Sequence, residues 1–369
     1  MMKHNPENER VKRSYLIFMK QAKRQDESSL DSVAMAISRF EYYTNYKNFK
    51  AFHFQQAIGF KEYLAKQDNK QTGNKLSKAT LHSITRHLKI FFQWLAMQSG
   101  YKSRINYTDT EYFNLSEKDT RIAMARHEKP VPTVEQIKHT IECMPLTTNI
   151  ERRNRALMAF TLLTGVRDSA IASLKIKHID LISHSVFQDA REVKTKFSKT
   201  FTSYFFPVGE DVKEIVIEWI NYLKSELLFG NDDPLFPKTN VIQGRSKTFE
   251  PSGFKKENWK TAAPIRKIFK QAFTAADLPY FNPHSFRKTL GKMGQKLCRS
   301  PEEFKAWSQN LGHEGVLTTL YSYGDVQLDR QAEIIKHLNS PIDKDESNVN
   351  KVAEALFKKM SALNAGQNL

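Results

Sequence analysis

The chain of 369 residues contains only two cysteines, Cys143 and Cys298, which lie far apart in the sequence. Two isolated thiols do not have the spacing of a zinc site, and so few cysteines are typical of a reducing compartment. The sequence also lacks the acidic clusters that hold pairs of metal ions. We therefore expect neither a metal ion nor another cofactor.

Long hydrophobic runs are absent as well. No stretch approaches the roughly 20 apolar residues that a membrane-spanning helix needs. The first ten residues have no apolar core of the kind found in signal peptides. No internal repeat or low-complexity tract is evident. These absences predict a cytoplasmic protein without a membrane partner.

The chain has a strong excess of positive charge. It contains 57 lysines and arginines against 40 acidic residues, which gives a formal net charge of +17. A charge of this size indicates a polyanionic partner, and nucleic acid is the natural one. An acidic protein or a membrane surface is the alternative that composition alone leaves open.

Five residues along the chain have side chains that suit chemistry on a phosphodiester. They are Arg167 in Thr-Gly-Val-Arg, His284 and Arg287 in His-Ser-Phe-Arg, His313 after Leu-Gly, and Tyr323. Arginine donates two parallel hydrogen bonds to phosphate and stays charged, so two arginines can clamp one phosphate. A tyrosine nucleophile would keep the cut strand bonded to the protein and make cleavage reversible.

The order of these motifs resembles that of the tyrosine recombinase (phage integrase) family, over roughly residues 10 to 340. The resemblance implies that Tyr323 is the nucleophile and forms a 3′-phosphotyrosine. It implies that Arg167, Arg287 and His313 bind the scissile phosphate, and that His284 assists in binding and proton movement. It further implies strand exchange through a Holliday junction at double-stranded core sites within a homotetramer, and possible accessory DNA-bending or directionality proteins. Integration or excision of a mobile element is the preferred biological role.

In the family a lysine on a β-hairpin protonates the leaving 5′ oxygen. Alternating β-branched and aromatic residues between Val186 and Val208 predict two strands joined by a basic turn. Lys194 best fits the family's Lys-Thr pattern, and Lys196 is its competitor. Lys196 and Lys199 are otherwise interpreted as DNA contacts.

Two positions depart from the family pattern. Many members have a carboxylate three residues after the first arginine, whereas this chain has Ala170 there and Asp168 nearby. The family nucleophile usually follows the last histidine by nine residues, which is Ser322 here. Tyr323 is preferred as the nucleophile, and Tyr321 is the alternative.

The predicted fold is mainly α with a small β-sheet, an α+β class. The family resemblance implies that a helical core-DNA-binding domain and a catalytic domain form a C-shaped clamp on DNA. The predicted segments are a core-DNA-binding domain (10–115), a linker (116–132), a catalytic domain (133–341) and an amphipathic tail (342–369). The first domain shows a helical stripe, formed by Leu81, Ile84, Leu88, Phe91 and Leu95. The residues predicted to contact DNA beside this stripe are Lys75, Lys78, Arg86 and Lys89.

Three other activities remain compatible with the sequence. A type IB topoisomerase-like enzyme would use the same chemistry without exchanging partners. Ala170 and the displaced tyrosine fit a catalytically inert DNA-binding regulator of the same fold. An ordinary phosphodiesterase would release a cleaved product. The tail predicts either a contact with a neighbouring protomer or docking on its own domain.

Overall fold

The computed structural model describes residues 4–69, 72–125, 130–243 and 248–313. By its internal contacts the chain divides into two compact units, Met1–His127 and Glu128–Leu369. The α-helices described in the first unit are α1 (Pro6–Gln21), α2 (Glu27–Tyr43), α3 (Phe54–Lys66), α4 (Lys78–Leu95) and α5 (Glu117–Met124). Short 3-10 helices lie at Phe49–Ala51 and Tyr107–Phe113.

The core of the first unit is built largely from aromatic side chains. The stripe predicted on α4 is buried, since none of its five residues is more than 8% exposed. Phe52 and Phe92 stack with ring centroids 3.9 Å apart, and Phe40 and Phe113 pack around them. Burial of so many rings is a large apolar contribution to stability. The helical periodicity of α4 therefore identified its buried face.

The range assigned to the linker contains regular structure. Helix α5 lies inside 116–132, where Ser116 caps it through its side chain. Lys78 at the start of α4 pairs with Asp119 of α5 at 2.9 Å. The first unit thus includes residues that the sequence had placed in the connection.

The second unit consists mainly of α-helices and also contains small β-sheets. Its described α-helices are α6 (Val134–Glu142), α7 (Asn149–Thr164), α8 (Asp168–Ile171), α9 (Glu210–Ser225), α10 (Ala263–Ala275), α11 (Pro283–Leu297) and α12 (Pro301–Asn310). Short 3-10 helices lie at Ile176–His178 and Lys196–Ser198. The strands are β1 (Ile179–Asp180), β2 (Ser185–Gln188), β3 (Phe201–Tyr204), β4 (Lys238–Gln243) and β5 (Phe249–Lys255). This mainly helical architecture with small antiparallel sheets confirms the predicted fold class.

The three-stranded sheet has the order β1-β2-β3, with Val186 opposite Ser203 and Phe187 opposite Thr202. The predicted hairpin is therefore present, and its basic connection runs from β2 to β3. A second antiparallel ribbon, β4 with β5, was not predicted from the sequence. Its strands are mostly exposed, so they lack the apolar alternation that marks a half-buried strand. Pro251 and a register shift after Thr239 weaken the pattern further.

The end of α7 directs the chain towards the arginine motif. A capping box of Thr148 and Glu151 starts this helix, and its last turns lie in the core. Gly165 ends it in the left-handed conformation, with φ of 61°. A Cβ at this position would lie 3.0 Å from methyl carbons of Leu290 and Leu311. Glycine is needed here both for the backbone angle and for the close approach of α11.

Candidate active site

Arg287 is the centre of the site. It lies in α11, which begins after Asn282 caps the backbone N–H of Ser285 at 3.1 Å. The side chain is only 4% exposed, and its guanidinium donates to the carbonyl oxygens of Gly165 and of Leu311, the latter at 2.5 Å. Two backbone carbonyls therefore fix this buried cation without neutralising it. The structure joins three distant segments at one guanidinium.

His313 lies against that guanidinium. Its Nε2 is 3.3 Å from Nη2 of Arg287. Because arginine has no acceptor, Nε2 accepts this hydrogen bond and the ring proton sits on Nδ1. Burial, together with the charges of Arg287, Arg167, His284 and Lys199, lowers the pKa of His313 to about 4. The ring is therefore neutral near pH 7, and Nδ1–H is a donor.

Arg167 and His284 complete the cluster of cationic and imidazole groups. Arg167 is the residue that precedes α8 and is half-buried. The ring of His284 reaches solvent, yet surrounding protein lowers its pKa first by burial and then through the charges of Arg287 and Arg167. The charges of Arg167 and Arg287 lower the pKa of both histidines, so the four predicted residues share one electrostatic environment. The predicted arginines and histidines are thus brought together, although they come from separate parts of the sequence.

The three hairpin lysines have different surroundings. The Lys194 ammonium donates to the carbonyl of Lys260 at 2.9 Å. The backbone of Lys194 is bound on both sides by α8 and the residues after it, since its N–H donates to Ser173 Oγ at 2.9 Å and its carbonyl accepts from Ser169 Oγ at 3.3 Å. The Lys196 ammonium lies 4.7 Å from the ring of Phe197, on an exposed turn.

Lys199 is the hairpin lysine that lies beside His313. Its ammonium is 5.9 Å from the ring centre of Phe201, and Phe201 packs against Gly312 so closely that a Cβ on that glycine would be 2.5 Å from the ring. Lys199, Phe201 and His313 line one cleft. The sequence contained a signal for Lys199, because Lys199-Thr200 repeats the Lys-Thr pair that begins at Lys194.

Strand β3 holds this part of the site in place. Ser203 Oγ donates to the carbonyl of Asn310 at 2.9 Å, and the N–H of Tyr204 donates to Asn310 Oδ1 at 2.6 Å. These bonds join the hairpin to the end of α12, three residues before His313. The hairpin and the last histidine are therefore positioned by the same contacts.

The position of the missing family carboxylate is part of the core. Ala170 is 1% exposed. The carboxylate of Asp168, two residues earlier, accepts from Nε of Arg266 at 2.8 Å and from the backbone N–H of Ser169. Its negative charge offsets part of the effect of burial and of the neighbouring cations, which together lower the pKa of His284. Asp168 is therefore an anion inside the electrostatic field of the site.

In the first unit, three of the four residues predicted to contact DNA already have carboxylate partners. Lys75 pairs with Asp68 at 2.8 Å, Lys89 pairs with Glu111 at 2.7 Å, and Lys78 is bound to α5 as described. Arg86 is exposed on α4. A phosphate would have to compete with the carboxylates for these lysines.

The nucleophile predicted as Tyr323, its alternative Tyr321 and the tail 342–369 lie outside the described residues. Within the described ranges, no three side chains of His, Cys, Asp and Glu are grouped as a metal site. No helix described is both long and apolar enough to cross a bilayer.

A sequence profile of the Phage integrase family matches residues 132–329, more than half of the chain. The chain belongs to this family. Its members include the tyrosine recombinases, which cut and rejoin DNA strands. Tyrosine recombinase XerC of Lactobacillus delbrueckii subsp. bulgaricus is 24% identical over 261 residues, which are 69% of this chain and 76% of that protein. Tyrosine recombinase XerD of Staphylococcus haemolyticus is 22% identical over 295 residues, 76% of this chain and 86% of that protein.

Solved structures show the same fold for this family member. A lambda integrase dimer bound to a COC' core site has a TM-score of 0.59 at 12% identity, covering 87% of this chain and 96% of that chain. The Tn1549 transposon integrase in complex with circular intermediate DNA has a TM-score of 0.57 at 16% identity, covering 88% of this chain and 98% of that chain.

Proposed function

We propose that this integrase-family chain is a site-specific DNA recombinase that uses Tyr323 to cut and rejoin strands. The observation that carries the proposal is the arrangement around Arg287, in which two backbone carbonyls aim a buried guanidinium and His313 and Arg167 share its surroundings. Fixed donors of this kind stabilise the charge that grows on a phosphate during displacement. The tyrosine itself is assigned by the family resemblance.

The phenol oxygen of Tyr323 attacks the scissile phosphorus, and the bond from phosphorus to the 5′ oxygen breaks. The phenol of a free tyrosine has a pKa of about 10, and its proton passes to a base or to water. A lysine ammonium gives its proton to the leaving 5′ oxygen. Arg167, Arg287 and the Nδ1–H of His313 bind the non-bridging oxygens, and His284 assists.

We propose Lys199 as the leaving-group acid and keep Lys194 as the alternative. The Lys199 ammonium shares a cleft with His313, which is proposed to bind the phosphate. Lys194 fits the family's Lys-Thr pattern best, but its ammonium donates to a backbone carbonyl and would have to leave it to act as the acid. Lys196 lies on the exposed turn, where a phosphate contact is the simpler role.

In this proposal the first unit binds the duplex through Arg86 and the lysines of α4, and the second unit catalyses cleavage and rejoining of the strands. Two protomers on each of two core sites would exchange strands through a Holliday junction in a homotetramer, with DNA-bending or directionality proteins as possible partners. Integration or excision of a mobile element is the proposed biological role, in the cytoplasm.

Covalent trapping tests the reaction class. A core site is first selected from a random duplex library by binding to the full chain. The selected duplex is then nicked beside the scissile phosphate, so that the cleaved fragment diffuses away and the adduct accumulates. We expect an adduct that Tyr323→Phe abolishes and Tyr321→Phe does not. Loss only in Tyr321→Phe would move the nucleophile.

Three other outcomes would contradict the proposal. A free cleaved product without an adduct would indicate a phosphodiesterase, and no reaction on bound cognate DNA would indicate an inert regulator. Adducts that support relaxation of supercoiled DNA but never exchange between two duplexes would indicate a topoisomerase-like enzyme.

Replacing the leaving 5′ oxygen by sulphur identifies the acid. A thiolate leaves without protonation, so the variant that lacks the acid should cleave the sulphur substrate far faster than the oxygen substrate. We expect this rescue for Lys199→Ala, and Lys194→Ala and Lys196→Ala are the matched controls. Rescue of Lys194→Ala alone would assign the acid to the family-pattern lysine instead.

A further inference from the structure

The ion pair between Asp168 and Arg266 lies at the edge of the active site. Asp168 directly follows Arg167, and Arg266 lies in α10, 98 residues further along the chain. The carboxylate is 21% exposed and the guanidinium side chain 60% exposed. Because an exposed ion pair contributes little to stability, its position beside Arg167 suggests another role.

The geometry of this pair leaves Arg266 able to bind a second anion. Asp168 accepts from Nε only. Among the described residues, the two terminal nitrogens of Arg266 have no other hydrogen-bond partner, so four N–H groups remain available. A guanidinium held by one edge can offer the other edge to a phosphate in a bidentate contact.

The surroundings of Arg266 are cationic on the same side of α10. Lys270 follows Arg266 by one helical turn and is exposed, whereas Ile265 and Phe269 are buried. The field of Asp168 also reaches the active site, since its charge acts on His284. The pair is therefore close to the groups proposed to bind the scissile phosphate.

We propose that Arg266 binds a backbone phosphate of the duplex next to the scissile one, and that Asp168 positions Arg266 for this contact. The proposal rests on the proposed function for its DNA partner. In this proposal Asp168 supplies a carboxylate two residues before Ala170, which stands where many family members have theirs. It acts through Arg266 and does not itself touch the substrate.

A phosphate scan tests this assignment with the full chain and the selected core-site duplex. Each phosphate near the scissile position is replaced in turn by a neutral methylphosphonate, and binding is measured by fluorescence anisotropy. Wild type should lose affinity at several positions. Arg266→Ala should become insensitive at one of them, adjacent to the scissile phosphate, and Asp168→Asn should weaken the sensitivity at that same position.

Salt dependence gives a second reading of the same contact. The slope of log K against log salt should become shallower by about 0.9 in Arg266→Ala, because one phosphate contact is lost. Lys224→Ala is the matched control, since it removes one exposed cation from α9 and should leave slope and scan unchanged. Asp168→Asn should keep the slope closer to wild type because it retains the Arg266 charge.

The proposal is overturned if Arg266→Ala behaves like Lys224→Ala in both measurements, or if Asp168→Asn alters a different phosphate. Thermal melting of each variant checks that the fold is intact. The covalent adduct is recorded separately. A chain that binds DNA with these contacts but forms no adduct would refute the proposed function and leave the Arg266 contact established.

Discussion

Replacing Gly165 by alanine should damage both the fold and the active site. This glycine ends α7 with a φ of 61°, and its carbonyl accepts a hydrogen bond from Arg287. Gly253 in β5 is the matched control, because its φ is 82° and a Cβ there meets nothing within 4 Å. Both substitutions place alanine in left-handed backbone, but only the first adds atoms to a packed junction.

The size of the effect follows from these two contributions. Left-handed backbone costs an alanine about 1–2 kcal/mol, and Gly253→Ala should lose no more than that. At Gly165 the new methyl group would also lie 3.0 Å from Leu290 and from Leu311. Overpacking of a core costs about 1–3 kcal/mol. We therefore expect Gly165→Ala to lower the free energy of unfolding by about 2–5 kcal/mol.

Urea unfolding of the two variants measures this difference, and covalent trapping under stabilising conditions measures its effect on the site. Movement of the Gly165 carbonyl should misplace Arg287 and slow adduct formation by about 100-fold, the effect of losing one positioned donor. Equal loss of stability in Gly165→Ala and Gly253→Ala, with normal cleavage in both, would refute the reasoning.

Three further predictions concern other contacts. Burial and the neighbouring cations lower the pKa of His313 from 6.5 to about 4, so the unfolded chain binds more protons between these values. Stability should be full above pH 6.5 and fall towards pH 4, by about 1–2 kcal/mol after allowance for the exposed part of the ring, and His313→Gln should flatten this dependence in urea unfolding at each pH. Gly312→Ala should slow covalent trapping, because its methyl group would displace the ring of Phe201 beside Lys199. Its main effect should be on this rate and not on the melting temperature, and unchanged trapping would contradict this. Arg153→Met should destabilise the second unit by about 2–4 kcal/mol, since the buried guanidinium donates to Pro237 and Thr239 and lies over two aromatic rings; a loss below about 1 kcal/mol in urea unfolding would argue against that role.

Local features of the second unit could be predicted because they depend on residues close together in the chain. The capping box of Thr133 with Gln136 and the cap of Ser285 by Asn282 each join residues that are three apart in the chain. His284 and Arg287 are three residues apart in the chain, so their position together on one helix could also be predicted. The family followed from the order of such short motifs. The sequence favoured Lys194 over Lys196 as the leaving-group acid and interpreted Lys199 as a DNA contact, although Lys199-Thr200 repeats the Lys-Thr pair.

By itself the sequence determined the fold class and the family, because helical periodicity, capping and motif order are local properties. The arginines and histidines of the site were predicted from the same motifs. Only the tertiary structure decided which groups meet. The carbonyl of Gly165 reaches Arg287 across 122 residues, and Asp168 reaches Arg266 across 98. The ribbon of β4 and β5 was also not predicted, since its exposed strands carry no apolar alternation. Such pairings arise from the packing of helices and strands against each other, and nothing in the spacing of residues along the chain specifies them.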